Sequence, residues 1–178
     1  MSNSVEITHV FKHHWRDVFL ASWKKYPNPK CPEILSVDLV NKEIDPVTGC
    51  LTTTRVLVYE SAVPIWVRPL FKQTPIIFVE EARVDPINKK MVLKARNVTF
   101  DKVVKTEETC IYTPNAENPN WTNLHQTAKF ESAVSGVASI IENVLLSKFS
   151  YNASKGRQIM ESAIQAVESE MPAFSNFE

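Results

Sequence analysis

Glycine is nearly missing from this chain: three residues in 178. So few glycines leave no phosphate-cradling loop, and neither G-x-S-x-G nor H-E-x-x-H occurs, which removes the commonest nucleotide-binding and hydrolase readings. Cysteine is scarce too. Cys31, Cys50 and Cys110 are far apart and odd in number, with no C-x-x-C, so a zinc or dithiol site has no support. The histidines, His9, His13, His14 and His125, show no metal-ligand spacing. Net charge is absent as well: 20 basic residues balance 20 acidic ones. No bulk field therefore draws the chain to DNA or to an anionic membrane, and no basic stripe interleaved with aromatics speaks for nucleic acid. No apolar run approaches membrane-spanning length. The N-terminal "MSNSVEITHVFKHH" has neither a secretory apolar core nor an Arg-rich amphipathic pattern, so organelle entry would use an uncleaved route. Cys31 and Cys50 have no identifiable base. The acid pairs Glu80–Glu81 and Glu107–Glu108 read as solvated strand positions. No catalytic residue, metal or cofactor is expected, and the chain is read as a non-enzyme.

What is present is a clear change of period along the chain. Residues 5–11 alternate as a strand, and Trp15, Val18, Phe19, Ser22 and Trp23 then fall on one helical face. "YPNP" ends that helix, because proline lacks the N–H and restricts the residue before it. Residues 34–44 and 51–59 form a hairpin across "DPVTGC". Four more strand-like runs follow, at 76–84, 91–99, 103–112 and 122–134, and "DPINKK" and "TPNAENPN" are turn-like connectors. From Gly136 to about Glu170 the period is helical, which is roughly 50 Å of helix. The expected fold is α+β: a curved seven-stranded antiparallel sheet gripping a long C-terminal helix, with an internal cavity between them. One domain is expected over 1–172, with a short tail at 173–178.

On a wheel centred on Ile141, a stripe of Val137, Val144, Leu145, Ile159, Ala163 and Ala166 reads as buried. Glu142, Asn143, Ser150, Ser154, Arg157 and Glu161 fall on the wetter side. Lys148, Asn152 and Lys155 lie inside the apolar arc, where ammonium groups are costly unless paired or solvated. Two readings stand. Either the lysine stems snorkel to water, or the ammonium groups line a cavity and meet an anionic headgroup there. Arg55 shares strand parity with Leu51 and Leu57, so it points inward too unless its strand is an edge.

The stretch "PIWVRPLFKQTPIIF" at 64–78 places Ile65, Trp66, Val67, Leu70 and Phe71 among prolines, with Arg68 and Lys72 between them. Prolines at 64 and 69 deny it a long helix or a central strand. Either it packs permanently on the core, or it is a lid that meets membranes.

"WKKYPNPKCPEILSVDLV", "TTTRVL", "VPIWVRPLF", "VDPINKKM", "ENPNWT" and "NASKGRQIME", in that order, span nearly the whole chain. The pattern resembles the PRELI/slowmo family; "ENPNWT" and the short tail look most like its PRELI domain-containing protein 2 branch. The resemblance implies a lipid transfer protein of the mitochondrial intermembrane space, carrying phosphatidic acid or phosphatidylserine between membranes. It also implies a lid loop over a lipid pocket and a small twin-CX9C protein as heterodimer partner. Carried over by position, headgroup-binding roles fall on Lys25, Arg55, Lys148 and Lys155. Pocket lining falls on Tyr26, Val144 and Asn152, and the lid on about 62–73. The chain departs from relatives that bind phosphatidic acid: Glu33 replaces a histidine, Tyr59 and Ala62 replace lysines, and Val144 replaces a tryptophan. A pocket less cationic than theirs is implied. A non-transferring interaction module, binding a small helical partner, is the alternative, and a cyclase-like small-molecule enzyme is the other rival.

Overall fold

A computed structural model describes residues 3–60 and 75–170. In chain order the elements are β1 (Asn3–Phe11), α1 (Trp15–Lys24), β2 (Ile34–Ile44), β3 (Leu51–Tyr59) and β4 (Ile76–Asp85), then β5 (Lys90–Asn97), β6 (Val104–Pro114), β7 (Thr122–Ser132) and α2 (Ala138–Glu170). The expected curved antiparallel sheet with a long C-terminal helix is what forms. The lid and membrane contacts expected of 62–73, with Ile65, Trp66, Val67, Arg68, Leu70, Phe71 and Lys72, lie outside the described residues, as does the 173–178 tail.

Aspartate builds two of the turns. The Asp45 carboxylate accepts from the N–H groups of Val47 and Thr48, and Asp85 accepts from those of Ile87 and Asn88. Those donors hold both carboxyls below their ordinary values. Gly49, at φ 69, closes the first turn in the left-handed region where a side chain is strained.

The strands are ordered β1-β7-β6-β5-β4-β3-β2, so the first two strands of the chain are the two edges of the sheet. Helix α1 must carry the chain from one edge to the other, and it packs on α2 as it crosses. Strand burial alternates cleanly, as for a sheet with one covered face: Thr53, Arg55 and Leu57 on β3, and Thr122, Leu124, Gln126, Ala128 and Phe130 on β7.

Inward side chains fall into rows across the strands. One row runs Leu51, Val84, Met91, Tyr112, Leu124 and His9, mostly large and apolar. With Trp15, Val18, Met160, Ile164 and Val167 it forms the main core, under α1 and the C-terminal half of α2. Two rows further along, the sequence is Arg55, Glu80, Ala95, Glu108 and Ala128. Three charged residues and two alanines cannot close a core, so the sheet stays open beneath the N-terminal half of α2.

The buried face of α2 differs from the stripe centred on Ile141. Ile141 and Ile159 are buried as expected, but so are Glu142, Ala153, Met160, Ile164 and Val167, while Ala166 is exposed. A single wheel loses phase over 33 residues because the helix changes partners. At its start Glu142 accepts from the Ser132 N–H at 3.0 Å, and Phe149 meets Phe130 edge-on at 5.8 Å. Its last turns pack on α1 and β1 instead.

One clasp there is pH-dependent. The His13 ring bridges two α2 carboxylates, Glu161 at 2.9 Å and Glu168 at 2.7 Å. Burial pulls the His13 pKa down, but Glu168 and then Glu161 more than reverse this and raise it above the ordinary value. Stability from a raised histidine is fully present below about pH 6.5 and is lost as pH rises through the folded value. His9 works the other way: burial and then the Arg157 charge lower its pKa, so its contribution is lost on acidification. Subtracting the melting curve of His13→Gln from that of wild type isolates the first effect. The gap is expected to be roughly 1–4 °C near pH 6, discounted for the half-exposed carboxylates, and to close toward pH 8.

Candidate functional site

The opening in the second row is a cavity of about 400 Å³ between the concave sheet and α2. Its walls are mostly apolar, with Leu57, Phe78, Leu93, Leu124, Phe130 and Met160 prominent. That volume lies at the lower end of small-ligand pockets.

Polar groups enter at named places. Lys25 caps the C-terminus of α1, its N–H bonded to the Ala21 carbonyl at 2.9 Å, and its side chain turns into the cavity beside the Tyr26 ring. Burial alone would lower the ammonium pKa; the negative charge that Tyr26, Glu80 and Cys110 can carry outweighs it, and the pKa is raised. The helix C-terminus favours that charge as well. Glu108 accepts from Gln126 Nε2 at 2.6 Å and from the Cys110 thiol at 3.4 Å. Burial pushes the Cys110 thiol and the Tyr26, Tyr59 and Tyr112 phenols upward, so all remain neutral donors.

Arg55 points inward, as its parity predicts, and is 8 % exposed. It does not line the cavity. Its guanidinium is committed to Glu80, with Nε at 2.9 Å and Nη2 at 2.5 Å from Oε1, and lies over the Trp23 ring at 5.4 Å. The headgroup contact expected of it is therefore indirect: it holds Glu80, which does line the cavity.

Of the α2 cations, Lys148 and Lys155 both reach the cavity wall, with Asn152 between them and Val144 one turn before. Lys148 and Asn152 are exposed, so they stand at its mouth rather than in its depth. Lys155 Nζ donates to Glu33 at 2.9 Å, and this ammonium, with the Glu33 backbone N–H, holds the Glu33 carboxyl below its ordinary value against the effect of burial. The snorkelling and cavity readings thus both describe part of the result, because the lysines line the site at its rim.

Sequence reasoning missed three groups. Glu80 and Glu108 were read as solvated along with their neighbours, yet only Glu81 and Glu107 face water. Adjacent strand residues face opposite sides, so an acid pair always sends one member inward when the sheet has a covered face. Arg157, placed on the wet side, lines the cavity, and its buried Nη1 has no hydrogen-bond partner among the described residues. Among those residues no cluster of His, Cys, Asp or Glu would hold a metal ion.

A family model described as the PRELI-like family matches residues 16–170. Protein slowmo homolog of Dictyostelium discoideum is 41% identical over 164 residues, which is 92% of this chain and 72% of that protein. PRELI domain-containing protein 1, mitochondrial, of Mus musculus is 29% identical over 167 residues, covering 92% of this chain and 76% of its own length. Among solved structures, TTHA0849 from Thermus thermophilus superposes with a TM-score of 0.62 at 14% identity, covering 92% of this chain and 98% of that one. That last likeness is one of fold alone.

Proposed function

The chain belongs to the PRELI-like family, and from that premise we propose that it is a phospholipid carrier rather than an enzyme. It lifts an anionic phospholipid out of one mitochondrial membrane and delivers it to another across the intermembrane space. A mitochondrial setting agrees with the name of the mouse relative. The observation that carries the reading is the cavity itself: apolar walls under a helix, with Lys25 at depth and Lys148 and Lys155 at the mouth. Apolar walls recover about 0.8 kcal/mol for each CH₂ group taken from water, while the cations meet the phosphate.

Of the two candidate headgroups, phosphatidylserine fits better than phosphatidic acid. The lining cations Lys25, Lys148, Lys155 and Arg157 face Glu33, Glu60 and Glu108, while the fourth lining carboxylate, Glu80, is answered by Arg55; the site is close to balance. A site so balanced suits a ligand whose own ammonium offsets part of its negative charge. Glu108, inside the cavity, is the carboxylate to receive that ammonium.

The test is transfer between donor and acceptor liposomes, with a small twin-CX9C partner co-expressed as the proposed heterodimer subunit. Phosphatidylserine, phosphatidic acid and a neutral diacylglycerol are compared. Serine-lipid transfer is expected to exceed the other two and to collapse in a Lys148→Glu, Lys155→Glu double variant. Glu108→Gln is expected to move the preference toward phosphatidic acid by roughly ten-fold, the value of one charge-assisted hydrogen bond. Partner binding without transfer of any lipid would replace the carrier with a non-transferring interaction module.

A further inference from the structure

Arginine side chains that are buried are ordinarily paired, because each guanidinium N–H left without an acceptor forfeits a hydrogen bond that water would have made. Arg157 departs from that rule: the residue is half-buried and lines the cavity wall, and its Nη1, which is buried, finds no acceptor among the described residues. The nearest carboxylate along the helix is turned to another partner. Glu161, one helical turn on, spends its Oε2 on His13 at 2.9 Å. The imidazole of His9 offers no counter-charge: it is held below its ordinary pKa by burial and by Arg157 itself, and its own Nε2 is buried without a partner among the described residues.

Position adds to this. Residues 155 and 157 are about 200° apart around a helix, so their side chains leave α2 on opposite flanks. Lys155 reaches Glu33, just before edge strand β2, whereas Arg157 reaches toward His9 on the other edge strand, β1. Between them Gly156 faces the cavity, where a Cβ would lie 3.9 Å from the Tyr26 hydroxyl. The Lys155 charge is largely answered by Glu33. A guanidinium with an open donor therefore stands on the β1 side of the same cavity.

Resting on the carrier reading above, we propose that Arg157 is an anion-binding residue of this cavity, its guanidinium turning to donate to a phosphate oxygen of the ligand. The planar fork suits two oxygens of one phosphate. A phosphate oxygen is common to a lipid headgroup and to free phosphate, so the experiment separates them.

The full chain, with its co-expressed partner where required, is compared as wild type, Arg157→Gln and Arg157→Lys. Extraction is measured from vesicles containing phosphatidylserine and from vesicles containing fluorescent diacylglycerol, and melting is measured with and without inorganic phosphate. Arg157→Gln is expected to lose phosphatidylserine extraction by roughly ten- to a hundred-fold while keeping that of diacylglycerol. Arg157→Lys should recover part of the loss. Melting without ligand should be unchanged or higher in Arg157→Gln, because an unanswered buried donor contributes nothing to the fold. Equal phosphatidylserine extraction by Arg157→Gln and wild type overturns the proposal. So does a parallel loss of both lipids with a lower melting temperature, which is the mark of a structural role. Should wild type extract no lipid, yet be stabilised by inorganic phosphate only when Arg157 is intact, the anion site stands and the carrier reading falls. No lipid extraction and no phosphate effect sinks both.

Discussion

Arg55→Met is expected to destabilise the protein by about 3–5 kcal/mol, a drop in melting temperature on the order of 10 °C for a chain of this size. Both members of the Arg55–Glu80 pair are about 10% exposed, and Glu80 Oε1 takes two N–H groups of the same guanidinium. Removing the arginine leaves a carboxylate in the cavity wall without its counter-ion, and that residual charge, more than the lost attraction, sets the size of the effect. The double variant Arg55→Met, Glu80→Gln should therefore recover most of the stability. Denaturant midpoints for wild type, both singles and the double complete the cycle. A double variant no more stable than Arg55→Met alone would mean that Arg55 acts through packing on Trp23, the ring it covers at 5.4 Å. The single variant should also weaken uptake of a phosphate-bearing lipid, since an unpaired Glu80 adds negative charge to the cavity.

What made Arg55 legible in the sequence is the period of a strand: two residues from Leu57, it had to share its face. The hairpins were legible for an equally local reason, since Asp45, Gly49 and Asp85 each act on backbone within four residues. The site was legible only in part. Lys25 could be placed only through the family resemblance, as the basic position before Tyr26 and Pro27. Glu80 and Glu108 share the inward row with Arg55 through strand register, which no short window of sequence specifies. Glu142 and Arg157 escaped for a related reason. Their residue types suit a wet face, and what buries them comes from far along the chain: the Ser132 N–H for one, the β1 edge for the other. A helix that packs on β7, β1 and α1 at different points along its length has no single apolar arc that describes its buried face.

Gly156 offers a way to separate use of the cavity from integrity of the fold. The helix runs unbroken through it, and a Cβ there would make only ordinary contact with the Tyr26 hydroxyl at 3.9 Å. Gly156→Ala is therefore expected to raise stability by about 0.5–1 kcal/mol through helix propensity, with little change in lipid uptake. Gly156→Phe is a different experiment. A long side chain on a helix leans toward its N-terminus, here over Asn152 and Ala153, which line the same cavity. Because the ring enters open space rather than packed core, the usual cost of overfilling is largely avoided. Lipid extraction should fall to background in Gly156→Phe while the melting temperature stays at or above that of wild type, with Gly156→Leu between the two. Loss of extraction in step with loss of melting temperature would locate the effect in the fold. Full extraction by a well-folded Gly156→Phe would place the lipid outside the space between helix and sheet, and the headgroup roles of Lys25 and Arg157 would fall with it.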